Sequence, residues 1–382
     1  MVKDNRIKEI QIIPLEIKSS NWDQSTVLIK IYDEAGRYGI GESDGPTEAI
    51  KAYLEMKTAH GWQKNISEIL KGRDPIEFVA NYDAMYNSQI WVGRRGLGLM
   101  AISGIDMALY DLAGKQHNVP AYKLLGGAQK ERAIPYATLY PSIDVNSPND
   151  VLLEEYKRLI EKAKELKFRA VKFAIMPNEY MNDRELVKFI YRLRENLGED
   201  VEMGVDFLYR WNDPYNALRV LNKLEDCQLF FAEAVLQHDN LEGHKMLVDK
   251  VNTRICGAEM AGSRWELKDW IEKTKVAIVQ PDVNRCGGLT ELRKIAEYAD
   301  MYGIQIAPHG WKTGISAAAG VHFNFAVTNS EYFEYLHPDL YDSSLRRDLL
   351  VKEPQLVDGV FNKPQEPGLG ITINDQLVES LL

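Results

Sequence analysis

The chain has 382 residues, a formal net charge of −10, 45% hydrophobic residues and 27% charged residues. This length predicts one large domain with a smaller one beside it. The acidic balance argues against nucleic acid and against an anionic membrane surface as partners. It does not exclude an anionic substrate, because a bound metal ion and a few lysines can reverse the field locally.

The cysteine pattern and the N-terminus both favour a protein of the reducing cytoplasm. Cys227, Cys256 and Cys286 are odd in number and widely spaced, and no Cys-x-x-Cys pair occurs, so neither disulfides nor a zinc site are favoured. The first residues alternate like a strand and lack the apolar core of a signal peptide. The chain has no run of about 18 apolar residues, so we expect no transmembrane helix.

The first hundred residues predict an α+β unit, with a small antiparallel sheet followed by helices. Strands are expected over Lys8–Lys18 and Thr26–Tyr32, and the glycines of EAGRYGIGE indicate a hairpin turn after the second strand. Helices are expected over Pro46–His60, Asp74–Tyr86 and Arg95–Gln116.

From about Ile134 the pattern changes to short apolar strands that alternate with amphipathic helices. We expect strands near 134–139, 169–174, 202–206, 229–233, 254–258, 277–281, 304–308 and 332–335. Eight strands in this alternation predict a (β/α)₈ TIM barrel, whose final unit could be irregular. The tail has turn signals, no helical period and a plausible path back to the N-terminal unit. We therefore divide the chain at 1–125, 126–348 and 349–382. Neither GxGxxG nor GxxxxGK[ST] occurs, so no phosphate loop is expected.

Three carboxylates carry most of the functional information. Asp206, Glu233 and Glu259 each follow a predicted strand, 27 and 26 residues apart, which is about one strand-helix unit. Acidic residues at the same end of successive parallel strands converge, and a core does not tolerate three bare carboxylates. A hard cation such as Mg²⁺ takes oxygen ligands and offsets their charge. The pattern therefore predicts a metal enzyme.

Other polar residues stand at the same predicted strand ends. The full set is Lys172, Asp206, Glu233, Glu259, Asp282, His309 and Glu334. A lone Asp after a strand is more often a helix cap, and a lone His is more often structural. Seven polar residues that all stand at predicted strand ends make a capping or structural role a much weaker explanation. Asp282 beside His309 would fix the tautomer of the imidazole and raise its basicity, so we expect His309 to be the general acid/base.

The chain resembles the enolase superfamily, and within it the mandelate racemase subgroup. The resemblance covers nearly the whole length and rests on AISGIDMALYDLAGK with LLGG, AVKF, the three carboxylates, QPDVNRCGGLTE and PHGWKTG. It implies an α+β capping domain on a modified barrel, Mg²⁺ bound by Asp206, Glu233 and Glu259, and an Asp282–His309 catalytic dyad. It also implies that Glu334 contacts the substrate carboxylate or stabilises an enediolate.

The departures from the subgroup pattern bear on the reaction. Members often carry Lys-x-Lys on the second barrel strand, where this chain has Lys172-Phe173-Ala174. Leu208 and Val235 replace the usual Asn of Asp-x-Asn and Pro of Glu-x-Pro, which leaves the ligands intact and the substrate details open. Without a second lysine, two-base racemisation is disfavoured, whereas β-elimination needs one base.

The resemblance therefore implies an acid-sugar dehydratase that acts on an aldonate or aldarate and gives a 2-keto-3-deoxy acid. In that reaction Lys172, and Glu334 if protonated, would stabilise the enediolate. A racemase or epimerase with a second base such as Tyr136, and a cycloisomerase, stay open. The complete set of three acids and the Asp282–His309 dyad argue against a barrel that serves only as a binding or structural protein.

Substrate contacts are expected from the capping domain and from the barrel strand ends. We expect the segments Ser19–Thr26 and Ser43–Thr47 to line the site, with Trp22 as the aromatic cap. Further candidates are Tyr136, Tyr140, Arg210 and Trp311. Homo-oligomers are usual in the family that the chain resembles.

Overall fold

The computed structural model describes residues 3–18 and 24–382, so the predicted cap residue Trp22 lies outside the described residues. A short 3₁₀ turn (Lys3–Asn5) precedes an antiparallel sheet of β1 (Ile7–Ile17), β2 (Gln24–Asp33) and β3 (Tyr38–Ser43), in the order β1-β2-β3. Both strands that the sequence predicted here are present. Gly36 has φ +83°, a conformation that glycine adopts without steric cost, and it closes the turn between β2 and β3.

Five helices follow this sheet. They are α1 (Thr47–Glu55), α2 (Ile66–Leu70), α3 (Phe78–Asn87), α4 (Leu97–His117) and α5 (Ala121–Leu124). The helix predicted over Pro46–His60 ends early, at Glu55. The side-chain amide of Asn65 donates to the carbonyls of Leu54 and Met56, at 3.2 and 2.8 Å, and satisfies backbone groups that further helical turns would have used.

Helix α4 is the core of this unit and packs on β3 at unusually short range. A Cβ atom at Gly39 would lie 2.1 Å from the carbonyl oxygen of Ala108, and one at Gly41 would lie 2.0 Å from that of Gly104. Only glycine allows this approach. The helix is long and apolar enough to cross a membrane by length and composition, but 89% of its apolar window is buried inside the protein.

A short β4 (Arg132–Ala133) leads into eight parallel strands. They are β5 (Pro135–Leu139), β6 (Ala170–Ala174), β7 (Glu202–Asp206), β8 (Phe231–Glu233), β9 (Ile255–Gly257), β10 (Ile278–Val279), β11 (Gln305–Ile306) and β12 (Phe333–Tyr335). Their order is β11-β10-β9-β8-β7-β6-β5-β12, and the N–H of Glu334 donates to the carbonyl of Pro308 at 3.1 Å across the remaining gap. All eight predicted strands and the barrel architecture are confirmed.

Helices connect successive barrel strands on the outside. They are α6 (Asn149–Glu165), α7 (Asp183–Leu197), α8 (Pro214–Lys223), α9 (Leu241–Val248), α10 (Ser263–Asp269), α11 (Gly288–Asp300) and α12 (Gly314–Ala326). A 3₁₀ turn (Glu225–Cys227) follows α8, and a π-helical turn (Trp270–Thr274) extends α10. After β12 the chain forms only the five-residue α13 (Ser344–Asp348), so the final unit is irregular.

The C-terminal segment runs back to the N-terminal unit. It contains β13 (Leu350–Lys352), β14 (Leu356–Val357), β15 (Val360–Asn362), β16 (Thr372–Ile373) and α14 (Asp375–Ser380). The N–H of Leu369 donates to Asp111 of α4 at 2.8 Å, and Lys30 of β2 forms an ion pair with Asp375 at 2.9 Å. The division at 1–125, 126–348 and 349–382 stays a prediction.

A buried carboxyl joins the N-terminal unit to the barrel. Asp106 of α4 accepts hydrogen bonds from the backbone N–H and the hydroxyl of Thr290 in α11, at 2.9 and 2.6 Å. Burial raises the pKa of Asp106 to about 7, although the bonds from Thr290 act in the opposite direction. Asp106 is therefore one contact between the two units whose strength depends on pH near neutrality.

Candidate active site

The carboxyl ends of the barrel strands open into a cavity of about 430 Å³. Lys172, Asp206, Glu259 and His309 line it. The other three predicted strand-end residues, Glu233, Asp282 and Glu334, are buried directly against these four. The structure therefore brings all seven together, as expected for residues at one end of a parallel barrel.

Lys172 is the central cation of the group. Its ammonium nitrogen lies 2.7 Å from Glu233 Oε1, 2.9 Å from Glu334 Oε1 and 3.9 Å from Asp206 Oδ2. Burial alone would lower the pKa of Lys172, but the carboxylates of Glu233 and Glu334 outweigh it and hold the pKa well above its usual value. Lys172 is therefore a fixed positive charge and not a base.

Of the three predicted metal ligands, Asp206 and Glu233 are the last residues of neighbouring strands and are paired in register, and Glu259 follows the end of β9. Burial and the charge of Glu233 raise the pKa of Asp206 well above its usual value, and burial also raises that of Glu233. In the part of the chain that the structure describes, no three Asp, Glu, His or Cys side chains are arranged closely enough to hold a metal ion. Each acid is turned instead to a protein donor.

The donor set nevertheless fits a hard cation in its chemistry. Burial, together with neighbouring carboxylates, raises the pKa of Asp206 and of Glu233, so these two acids gain from an added positive charge, and oxygen ligands suit Mg²⁺. Although burial opposes it, the charge of His309 lowers the pKa of Glu259, and a metal ion could take the place of that charge. Glu259 has two partners to exchange: the Tyr209 hydroxyl donates to its Oε1 at 2.5 Å, and His309 Nε2 lies 3.1 Å from its Oε2.

The Asp282–His309 pair has the geometry of an oriented acid/base. His309 Nδ1 lies 2.5 Å from Asp282 Oδ2, and the two backbones form a parallel β-bridge. This contact leaves Nε2 directed at the cavity side of the ring. Burial would lower the pKa of His309, but the charges of Glu259 and Glu334 and the bond to Asp282 raise it to about 9.

Glu334 is held by three protein partners. It accepts hydrogen bonds from the Thr138 hydroxyl and from the Gly310 N–H, the latter at 2.8 Å, in addition to its ion pair with Lys172. Although burial opposes it, Lys172 and His309 lower the pKa of Glu334 to about 2. These contacts favour an ionised Glu334 that accepts hydrogen bonds.

The predicted substrate-contact residues divide into two groups. Tyr140 and Trp311 line the cavity and pack edge to face, with ring centroids 5.5 Å apart, and Tyr341 extends this aromatic wall. Tyr136 does not line it, because it lies in the barrel interior against Phe231. Arg210 does not line it either.

Arg210 is turned away from the cavity by local partners. It donates to the carbonyl of Met181 and lies 3.5 Å from Asp183 at the start of α7. The predicted lining segment Ser19–Thr26 reaches the cavity at Gln24 and Ser25, and its residues 19–23 lie outside the described residues. In the second segment, Ser43–Thr47, Ser43 is buried and donates to the carbonyl of Met100, whereas Asp44 contacts cations that line the cavity.

Sequence reasoning missed two cations at the rim of the cavity, Arg285 and Lys312. Asp44 forms ion pairs with Arg285 and Lys312, and both cations line the cavity. Arg285 and Lys312 stand in QPDVNRCGG and PHGWKTG, each three residues after a member of the dyad, and that phase was the available signal. Asp44 lies within the predicted lining segment Ser43–Thr47, although its ion pairs were not predicted.

The turns that follow three of these strands hold non-glycine residues in the left-handed region. Leu208 and Tyr209 have φ of 50° and 59°, Ala234 has 47° and Ala258 has 79°. Each such residue costs roughly 1–2 kcal/mol, so the surrounding structure enforces them. The turn at Leu208–Tyr209 brings the Tyr209 hydroxyl onto Glu259.

Comparison with known proteins agrees with this geometry. Residues 154–377 match the enolase C-terminal domain-like family, and residues 7–126 match the N-terminal domain of mandelate racemase/muconate lactonizing enzymes. An arabinonate dehydratase of Saccharolobus solfataricus is 32% identical over 92% of this chain and 89% of its own. Three further curated relatives, at 27–29% identity, are also named as sugar-acid dehydratases.

Two other similar proteins have names from the isomerase class. A D-galactarolactone cycloisomerase of Agrobacterium fabrum is 29% identical over 96% of this chain and 94% of its own. A crystal structure provisionally described as a racemase is 50% identical, covers 100% of this chain and 99% of its own, and superposes with a TM-score of 0.96. The family matches cover both the capping unit and the barrel. The chain therefore belongs to the mandelate racemase/muconate lactonizing enzyme family of the enolase superfamily.

Proposed function

We propose that this chain is a Mg²⁺-dependent dehydratase of a sugar acid, an aldonate or an aldarate, and that it releases a 2-keto-3-deoxy acid. The observation that carries the proposal is the one-base arrangement of the cavity. His309, oriented by Asp282, faces the cavity, whereas the wall position that often holds a second lysine in the family is Ala174. The dehydratase names of curated relatives support the same class.

One base is sufficient for a β-elimination. His309 Nε2 takes the C2 proton, and the C–H electron pair moves into the carboxylate system. That pair then forms the C2–C3 double bond as the C3–O bond breaks, and the proton held by His309 leaves with the hydroxide as water. The resulting enol tautomerises to the 2-keto acid. Acid/base catalysis of this kind contributes about 10²–10⁴-fold.

The remaining buried charges support that proton transfer. The Lys172 ammonium stabilises the negative charge that develops on the substrate carboxylate. Glu334, held ionised, positions both Lys172 and His309. Asp206, Glu233 and Glu259 would hold Mg²⁺. When bound there, the ion would supply further positive charge to the substrate carboxylate.

A racemase or epimerase is the second candidate, and the 50% identical structure with a provisional racemase name favours it. Racemisation needs a group on each face of the reacting carbon. Tyr136, the alternative second base, is buried in the barrel interior, and burial raises its pKa well above the usual value. A cycloisomerase also needs no second base, so only experiment distinguishes it from a dehydratase.

The test is a screen of the purified protein with Mg²⁺ against matched aldonic and aldaric acids, with 2-keto-3-deoxy products detected as semicarbazones. A keto product would support dehydration. Deuterium entering the substrate in D₂O without loss of water would overturn it in favour of racemisation or epimerisation. A product isomeric with the substrate, without a keto signal, would point to cycloisomerisation.

We also propose that the enzyme is a cytoplasmic homo-oligomer that acts on small molecules and not on nucleic acid or membranes. The support is the acidic net charge and the free, buried state of all three cysteines. Mass measurement in solution tests the oligomeric part.

A further inference from the structure

A group of three charged residues, Asp44, Arg285 and Lys312, lies at the rim of the cavity and takes no part in the proton transfer described above. Asp44, between β3 and α1, lies 2.7 Å from Arg285 Nε and 2.9 Å from Lys312 Nζ. The three side chains are only 13–16% exposed. Asp282 is 3.8 Å from Arg285, but its short contact is with His309. Within the group, one carboxylate is thus shared by two cations. Asp282 and Glu259 also act on Arg285 from outside the group, whereas Asp44 is the only ion-pair partner of Lys312 within residues 3–18 and 24–382.

The two cations also have hydrogen-bond donors to spare. Lys312 uses two of its three N–H groups, on Asp44 and on the carbonyl of Ser25 at 2.9 Å. Arg285 uses Nε on Asp44, and its Nη1 makes longer contacts with Glu259 O at 3.5 Å and Met260 Sδ at 3.3 Å. Within residues 3–18 and 24–382, Arg285 Nη2 has no partner. These donors belong to residues that line the cavity.

The rim cations face a different end of the cavity from Lys172. Lys172 is on β6, which is four strands from β10 in the sheet order, so Arg285 enters from the opposite side of the barrel. Lys172 is buried at the level of the strands, whereas Arg285 and Lys312 follow the strand ends and reach capping residues Asp44 and Ser25. A substrate whose reacting carboxylate lies at Lys172 therefore directs its other end to the rim.

We propose that Arg285 and Lys312 bind a second carboxylate of the substrate, which makes the preferred substrate an aldarate and not an aldonate. The inference rests on the proposed function. Charge-assisted hydrogen bonds from a pinned guanidinium and ammonium favour a carboxylate strongly over the terminal hydroxyl of an aldonate. The curated dehydratases at 27–32% identity have names of monoacids, so this preference would set the chain apart from them.

The first experiment compares matched acids that share their configuration at C2–C5 and differ only at C6, such as D-galactonate with galactarate and D-gluconate with D-glucarate. The expected result is a kcat/KM for the diacid at least tenfold above that for its monoacid. Equal values, or a preference for the monoacid, would overturn the inference. A preference for a C6 phosphate over the diacid would do so as well.

The second experiment removes the charge at the rim. Lys312→Met keeps an unbranched side chain of similar bulk without the charge, and it is expected to reduce the diacid-to-monoacid ratio at least tenfold. Lys312→Arg retains the charge and should retain most of the ratio. Lys188→Met on α7, where Lys188 pairs only with Glu185 at the surface, is the matched control and should leave both values unchanged. An unaltered ratio in Lys312→Met would contradict the assignment.

Failure of the proposed function would be distinguishable from failure of this inference. If no sugar acid gives a keto product, dehydration is wrong, and the rim site is then decided by calorimetric binding of galactarate and D-galactonate in the presence of Mg²⁺. Tighter binding of galactarate that is lost in Lys312→Met supports a dicarboxylate site. Equal binding of the two acids overturns it.

Discussion

In this structure His309 lies between two carboxylates, and their charges favour its protonated form. Asp282 contacts Nδ1 and Glu259 contacts Nε2, and these charges hold the pKa at about 9. A base must be neutral before it takes a proton, so the contact with Glu259 opposes the role that we propose. Catalysis therefore requires Glu259 to be engaged away from His309, as it would be as a metal ligand.

Replacement of the proposed base tests this assignment. His309→Asn removes the proton acceptor, and it is expected to reduce kcat/KM by about 10²–10⁴-fold. Because Asn cannot remove the C2 proton but leaves the three acids in place, Mg²⁺ binding measured by calorimetry should persist. Retained turnover in the variant would refute the role of His309.

The regular spacing of polar residues along the chain predicted most of the site. It did not predict which side chains reach the cavity and which stay inside the barrel. The seven strand-end residues were found because the barrel repeats them once per strand-helix unit. Tyr136 and Tyr140 looked equivalent in sequence, yet Tyr136 lies inside β5 and is covered by Lys172, whose nitrogen is 5.6 Å from its ring. Tyr140 follows the strand end and reaches the cavity. The two tyrosines differ in their height along the barrel axis, and a single sequence does not show that height.

At the scale of elements, the contact between β3 and α4 depends on glycine. Gly41→Ala would place a Cβ atom 2.0 Å from the carbonyl oxygen of Gly104, so the strand and the helix must separate. We expect a loss of about 1–3 kcal/mol in the free energy of unfolding, measured by denaturant titration. Gly61→Ala is the control, because a Cβ atom at Gly61 would meet no other atom within 4 Å and stability should be unchanged.

The α4–α11 contact predicts a pH dependence of stability. Burial raises the pKa of Asp106 to about 7 in the folded protein, above its ordinary value of 3.8. The folded state therefore keeps a proton that the unfolded chain releases, and the contribution of Asp106 is present below pH 4 and is lost as the pH rises to 7. Asp106→Asn cannot titrate.

The matching measurement is urea unfolding of both proteins at pH 5 and pH 8. Relative to the wild type, Asp106→Asn should gain on the order of 2 kcal/mol between those pH values. A difference between the two proteins that does not change with pH would show that Asp106 is ionised throughout.

Element boundaries were harder to predict than element types. The helix expected over Pro46–His60 ends at Glu55 because Asn65, ten residues further on, supplies donors to its last carbonyls. Local propensity contains no trace of such a contact. The barrel strands were placed correctly because each is an apolar run that only a buried position explains.

At the scale of the whole molecule, the cavity is assembled from the full length of the chain. Gln24 and Ser25 come from the N-terminal sheet, Lys172 to Lys312 from the barrel, and Ser343 and Leu345 from the C-terminal side of β12. Binding at the site should therefore stabilise the whole fold and not a single domain.

Mg²⁺ provides the corresponding measurement. An ion that binds only the folded protein raises Tm, so added Mg²⁺ should raise the Tm of the wild type by a few degrees. Glu233→Gln removes a proposed ligand and should abolish most of the shift, whatever its own Tm. Glu242→Gln, on the first turn of α9, is the control and should respond as the wild type does. An equal Mg²⁺-induced rise in Tm in all three proteins would show that Glu233 is not a ligand of the ion.

The burial of α4 also has a consequence for biosynthesis. One face of this apolar helix packs on β2 and β3, which are synthesised before it. Another face packs on α11, which is synthesised later. Helix α11 leaves the ribosome about 170 residues after α4 ends, a delay on the order of ten seconds or more at roughly 5–20 residues per second. During that interval the nascent chain displays a segment that meets the length and hydrophobicity of a membrane anchor. Until α11 is made, this face of α4 is uncovered, and we expect chaperones that shield apolar segments to bind the nascent chain there.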